Sequence, residues 1–190
     1  MDKSNGATGK LVIVSGPSGA GKSTICKEVA RRIDNVYLSV SVTTRPRTKG
    51  ETHGKDYWFV SKEQFQQRAR KGEFLEHAEV FAHLYGTPRD AVEQALNQGK
   101  IVILEIDVQG AKQAKMIYPD AVAIFILPPS AKVLAERLGS RGRDSSEAAE
   151  SRLDGASDEI AAARQYYQHM VINDSLEQAI KEVIQIIQEK

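Results

Sequence analysis

A chain of 190 residues with 41% hydrophobic content can bury one substantial core and leaves room for an inserted subdomain. Its 26 basic and 25 acidic residues give a net charge of +1, so the whole-molecule field offers no general attraction to nucleic acid or to a membrane, and phosphate binding must come from local clusters. No apolar run approaches the roughly 18 residues of a membrane span, the polar start MDKSNGATGK reads as a mobile tail on a soluble protein, and the single Cys26, which excludes an intramolecular disulfide, reads as a small buried group in a reducing cytoplasm.

Taken in order, Leu11–Ser15 is a short apolar run suited to a buried strand, and the segment after Lys22, STICKEVARRI, spaces its apolar residues as a helix does. KIVILEID (100–107) and AVAIFIL (121–127) are continuous apolar runs, the pattern of strands covered on both faces, and each is followed by a helical segment. Ser130 is a candidate N-cap, and Ser175 with Gln178 has the spacing of a capping box opening the last helix. Strands alternating with helices predict an α/β fold with a parallel sheet.

Two stretches interrupt that rhythm. Residues 37–89 hold short β-like pieces (YLSVSV, DYWFV, EFLEHAEVFAHLYG) and a helix opened by Ser61 with Gln64, which predicts a small mixed α/β insertion. Residues 137–167 turn polar and arginine-rich with Gly139 and Gly142 near the start, as a helical lid would. The remaining segments, 11–36, 90–136 and 168–190, form the expected core, and 1–10 the tail.

Gly16, Pro17, Ser18, Gly19, Ala20, Gly21, Lys22 and Ser23, followed by Thr24, match the phosphate-binding loop pattern and stand between a predicted strand and a predicted helix. Glycines there let backbone amides converge on a phosphate, the helix offers its positive N-terminus, and Lys22 adds a full charge. Ser23 is then the expected ligand of Mg²⁺. Glu105 and Asp107, two apart in KIVILEID, are expected on one side of a strand near its C-terminal edge, with Asp107 assigned to the metal. Capping of the following helix is the alternative role for one of them. In SVSVTTRPRTKGETHGKDYWF, Arg45, Arg47 and Lys49 make a local cationic patch, either a second phosphate site or a solvated turn.

GPSGAGKST, SVS with TTR, GKDYWFV, GEFLEHAEV, YGT and ILEIDVQG occur in the order and spacing of the guanylate kinases, and the chain resembles that family from about Leu11 to its end. The resemblance implies a nucleoside monophosphate kinase with a P-loop core, a GMP-binding insertion and a lid over ATP. It puts guanine contacts on Ser41, Glu76 and Thr87, with Glu105 and Asp107 nearby, and acceptor-phosphate contacts on Arg45, Tyr57 and Tyr85. Lid contacts to the ATP phosphates fall on Arg137, Arg141 and Arg152; Arg143 matches nothing. A carboxylate at 76 accepts from guanine N1–H and the amino group but opposes the unprotonated N1 of adenine, the kind of selection that leaves the wrong base unpaired. Two departures stand out: the family spaces its two arginines three apart, whereas Thr48 holds that place here and Arg47 comes one position early, and Glu105 stands where an aspartate is common.

The implied reaction is in-line transfer of the γ-phosphoryl group of ATP to GMP, with Mg²⁺ as cofactor and dGMP as a further acceptor. No sequence feature supplies a nucleophile, and an ionised acceptor phosphate needs no general base, so Lys22, Arg45 and the lid arginines act by position and charge. Four histidines, His53, His77, His83 and His169, lack metal-ligand spacing. Two other readings remain open from the residues: a P-loop kinase for another small molecule, and a scaffold domain that holds phosphorylated partners.

Overall fold

A computed structural model describes residues 9–139, 160–161 and 163–189. The strands are β1 (Lys10–Ser15), β2 (Val36–Leu38), β3 (Val42–Thr43), β4 (Trp58–Phe59), β5 (Phe74–Val80), β6 (His83–Pro88), β7 (Ile101–Glu105), β8 (Val122–Leu127) and β9 (His169–Ile172). The helices are α1 (Lys22–Arg32), α2 (Lys62–Arg70), α3 (Arg89–Asn97), α4 (Val108–Ile117), α5 (Ala131–Gly139) and α6 (Leu176–Gln188). The described residues group into two compact units, one built from 9–11, Asn35–Leu104 and Gln109–Ala121, the other from Val12–Asp34, Glu105–Val108 and the described residues from Val122 on.

In the second unit β8 pairs in parallel with both β1 and β9, Val14 opposite Ile124 and Ile126 opposite Val171. Val12–Val14 and Ile124–Ile126 are fully buried, which is why these strands read as unbroken apolar runs rather than alternating ones. On α1, Ile25, Cys26 and Val29 form the buried face. Burial pushes the Cys26 thiol well above its ordinary value, with the nearby Glu105 carboxylate adding to the effect. Arg32 of α1 reaches Glu177 of α6 at 2.8 Å. Ser130 caps α5 as expected, accepting from the Val133 amide at 3.2 Å. Ser175 does stand at the N-cap of α6, but its side chain makes no capping hydrogen bond, so the expected capping box is absent there.

The first unit holds the parallel pair β2 and β7, with Tyr37 opposite Val102, and a separate four-stranded sheet in the order β4-β3-β6-β5. Val42, Phe65 and Phe74 make the core of that sheet, the two phenyl rings stacked with centroids 4.5 Å apart. Gly86 sits against this pair because a Cβ there would run into the Phe74 ring. The capping box of α2 is complete: the Gln64 amide donates to the Ser61 hydroxyl, and the Ser61 amide to the Gln64 side chain.

The stretch EFLEHAEVFAHLYG is two strands, not one. Val80 pairs with His83, and Phe81 and Ala82 between them take φ of 48° and 62°, the left-handed pair that a two-residue hairpin turn requires. A second difference concerns the acidic pair after residue 104. Strand β7 ends at Glu105, so Asp107 does not share a strand face with it but stands just before α4. No described helix is long and apolar enough to cross a membrane.

Candidate functional site

Strand β1 delivers the chain into the glycine loop, and the loop ends where α1 begins. Gly16, Gly19 and Gly21 take φ of 145°, 92° and 97°, values at which an L side chain is strained, so the loop can turn its amides inward only with glycine at those places. The Ala20 amide donates to the Pro17 carbonyl at 3.1 Å. Gly21 is the N-cap of α1 and makes no side-chain capping hydrogen bond. Lys22 curls back over the loop and donates to the carbonyls of Gly16 at 2.5 Å and Pro17 at 3.1 Å, which holds its ammonium over the cradle.

Ser23 and Thr24, the next residues, are exposed on the first turn of α1. The Ser23 hydroxyl donates to Glu105 Oε1 at 2.6 Å. The carboxylate brought to Ser23 is therefore that of Glu105, at the end of β7, and Asp107 lies half-buried beyond the strand.

Asn173, which follows β9 and is only 5% exposed, had no signal in the sequence. Its amide nitrogen donates to the Ala20 carbonyl at 2.7 Å, and its backbone amide donates to Leu127 at 2.8 Å. It thus ties the loop to the end of β8. Its own carbonyl accepts from Arg137 of α5 at 3.2 Å. Arg137 is the one arginine of the expected lid set among the described residues; Arg141, Arg143 and Arg152 lie outside them.

The other candidate residues belong to the first unit. Glu76 on β5 and Thr87 on β6 are cross-strand partners, 4% and 0% exposed, and the Thr87 hydroxyl donates to Glu76 Oε1 at 2.6 Å. Burying a carboxylate is costly unless hydrogen bonds satisfy it, and Thr87 supplies one here. Ser41 lies half-buried just before β3.

Arg45 follows β3, with its guanidinium 5.3 Å from the centroid of Tyr57 and 5.8 Å from that of Phe59. Tyr57 meets Tyr85 edge-on with centroids 6.0 Å apart. Arg45, Tyr57 and Tyr85 are thus gathered in one place, a cation flanked by two phenols. Arg47, two residues on, is exposed, as is Lys49. Glu51 closes the same turn: it accepts from Arg45 at 2.7 and 3.1 Å and from the Thr48 amide at 2.8 Å. Burial works to raise the Glu51 carboxyl, yet the hydrogen bonds from Arg45 and Thr48 outweigh it and hold it down to about 2. Glu51 was missed from the sequence, although an acid six residues after Arg45 in a turn is the kind of charge pairing that could have singled it out.

The guanylate kinase family model matches residues 8–190. The chain is 47% identical to a guanylate kinase of Carboxydothermus hydrogenoformans over 92% of its own length and 85% of that protein. It is 46% identical to one of Thermotoga maritima, covering 94% and 86%. Among solved structures, the crystal structure of guanylate kinase from Anaplasma phagocytophilum superposes with a TM-score of 0.80 at 35% identity, covering 96% of this chain and 86% of that one.

Proposed function

We infer the function from one premise: this chain belongs to the guanylate kinase family. It is a phosphotransferase that moves the γ-phosphoryl group of ATP to GMP, giving ADP and GDP. The assignment of its residues to that reaction is our proposal. The second unit binds ATP through Gly16–Thr24, and the first binds GMP through Ser41, Arg45, Tyr57, Glu76, Tyr85 and Thr87.

The observation that carries the choice of acceptor is the buried Glu76–Thr87 pair. Thr87 holds one oxygen of the carboxylate, and a carboxylate has about four acceptor positions to share. Guanine supplies two donors, N1–H and the amino group. Adenine presents a lone pair at N1 to that carboxylate in place of a donor, a strong basis for rejection. Because the Thr87 proton is directed at Glu76, we assign the hydrogen bond to guanine O6 to Ser41.

The acceptor phosphate is placed against Arg45, Tyr57 and Tyr85, whose phenols donate hydrogen bonds without adding charge. Arg47 is exposed, and Arg45 is the principal cation of this site. An ionised phosphate oxygen is already a nucleophile, so no protein base takes part. Lys22, which now rests on loop carbonyls, turns its ammonium to the transferring phosphates. Arg137 joins it from α5, and Arg141 and Arg152 keep the ATP-phosphate role that the family resemblance implies. We keep 37–89 as the GMP-binding part, 137–167 as the lid and 11–36, 90–136 and 168–190 as the core.

The donor set suits Mg²⁺. Ser23 and Glu105 are oxygen donors already within 2.6 Å of each other at the start of α1, and magnesium takes one or two such protein oxygens together with substrate phosphates. We assign it to Ser23 and Glu105, with Asp107 beyond them; when bound, the ion neutralises charge on the β- and γ-phosphates. We assign the enzyme to the cytoplasm, a reading that its single free thiol and its nucleotide substrates support.

Ligand-induced shifts in melting temperature test the two half-sites separately. The Lys22→Ala variant is expected to lose the rise caused by ATP with Mg²⁺ and keep that caused by GMP, and Arg45→Ala the reverse. Loss of both rises in either variant contradicts the assignment.

A further inference from the structure

We propose that Glu51 is a positioning residue for the acceptor phosphate: it grips one edge of the Arg45 guanidinium and so presents the opposite edge to the substrate. This rests on the assignment of Arg45 to the phosphate of GMP. A guanidinium offers five N–H donors in a rigid planar fork, and which edge faces a ligand depends on what holds the other.

Here the hold is specific. Glu51 takes one donor from each terminal nitrogen, at 2.7 and 3.1 Å. The terminal nitrogen at 3.1 Å also donates to the Pro46 carbonyl, at 3.0 Å, so both of its protons are committed. Neither Glu51 nor Pro46 uses the Arg45 Nε. Glu51 and Pro46 thus leave the edge formed by Nε and the other terminal nitrogen, and the Tyr85 phenol, which also hydrogen-bonds Arg45, shares that guanidinium with the phosphate.

Glu51 is itself immobilised. Its carboxylate accepts from the Thr48 amide, and its own amide donates to the Thr48 carbonyl at 3.2 Å, with Gly50 at φ 91° completing the turn. Both side chains are largely buried, at 21% exposure for Arg45 and 14% for Glu51, so water screens the pair little. Arg45 is further fixed by the Tyr57 and Phe59 rings. Glu51 also sets the local charge. With Thr48 in the turn, it balances Arg45 one for one, and the site takes its phosphate through oriented donors more than through net positive charge.

The test is steady-state kinetics of the full chain with Glu51→Gln, Glu51→Asp and Arg45→Ala, varying GMP and ATP in turn and recording melting temperatures. Glu51→Gln keeps the shape and removes the charge that orients the guanidinium. It is expected to raise the KM for GMP about tenfold, the scale of one charge-assisted hydrogen bond lost, and to leave the KM for ATP unchanged. Glu51→Asp, which retains the carboxylate on a shorter stem, is expected to fall between, and it carries the test alone if the glutamine variant does not fold. A GMP KM that stays constant, or falls because the guanidinium has been released, overturns the proposal. So does a parallel rise in both KM values, the mark of a merely structural residue. If Arg45→Ala leaves the GMP KM unchanged, the phosphate assignment itself fails, and this proposal with it; if only the Glu51 variants are silent, that assignment stands.

Discussion

The Thr87 hydroxyl donates to the buried carboxylate of Glu76 at 2.6 Å across the β5–β6 hairpin. The bond offsets part of the cost of burying a carboxylate at 4% exposure and holds one of its oxygens. Glu76→Gln keeps the shape and replaces an acceptor oxygen with a donor. It is expected to lower kcat/KM for GMP by about a hundredfold or more, the loss of two charge-assisted hydrogen bonds, with the KM for ATP unchanged. Thr87→Val is expected to produce a smaller loss, because Glu76 remains but the oxygen that Thr87 holds is released. Kinetics with GMP and ATP varied separately decide it, and equal losses toward both substrates refute a guanine-reading role.

The phosphate loop depends on a contact from a distant part of the chain. Gly21 has φ 97°, and a Cβ there would run into the Asn173 amide that bonds Ala20. Gly21→Ala therefore combines a left-handed backbone, costing about 1–2 kcal/mol, with displacement of Asn173. A lowered melting temperature and loss of the ATP-induced rise are expected. Asn173→Ala removes the tie alone; it should weaken ATP binding more than GMP binding, as ligand-dependent melting measures.

Acid sensitivity follows from Glu51. Its carboxyl is held down to about 2 in the folded chain, against roughly 4.3 in the unfolded one. The folded form thus binds the proton less readily, so the group contributes stability that is fully present above about pH 4.3 and is lost as the pH falls toward 2. Glu51→Gln should destabilise the protein at pH 7, and the gap between variant and parent should narrow as the pH is lowered from about 4.5 to 2.5. Denaturant titrations at several pH values measure this, and a gap independent of pH contradicts it.

What was legible in the sequence was what local pattern determines. The glycine loop could be read because it follows an apolar strand and opens a helix, and the α2 capping box because Ser61 and Gln64 satisfy each other within one turn. The same spacing at Ser175 and Gln178 misled, since Ser175 sits at φ −105° and ψ 120° without a capping hydrogen bond. The hairpin turn at Phe81–Ala82 was hidden because neither residue is a usual turn former, and the pairing of the flanking strands imposes the positive φ. Asp107 was placed on a strand that stops two residues earlier, at Glu105. Asn173 was invisible because its partner, Ala20, lies 153 residues away.

The most direct measurement of the central claim is ADP release from ATP and Mg²⁺ with GMP, dGMP, AMP, CMP or UMP as acceptor. Turnover with GMP, with AMP inactive in the parent chain and GMP turnover falling steeply in Glu76→Gln, is the result expected. Equal turnover with AMP and GMP, or turnover with GMP unaffected by Glu76→Gln, would contradict it.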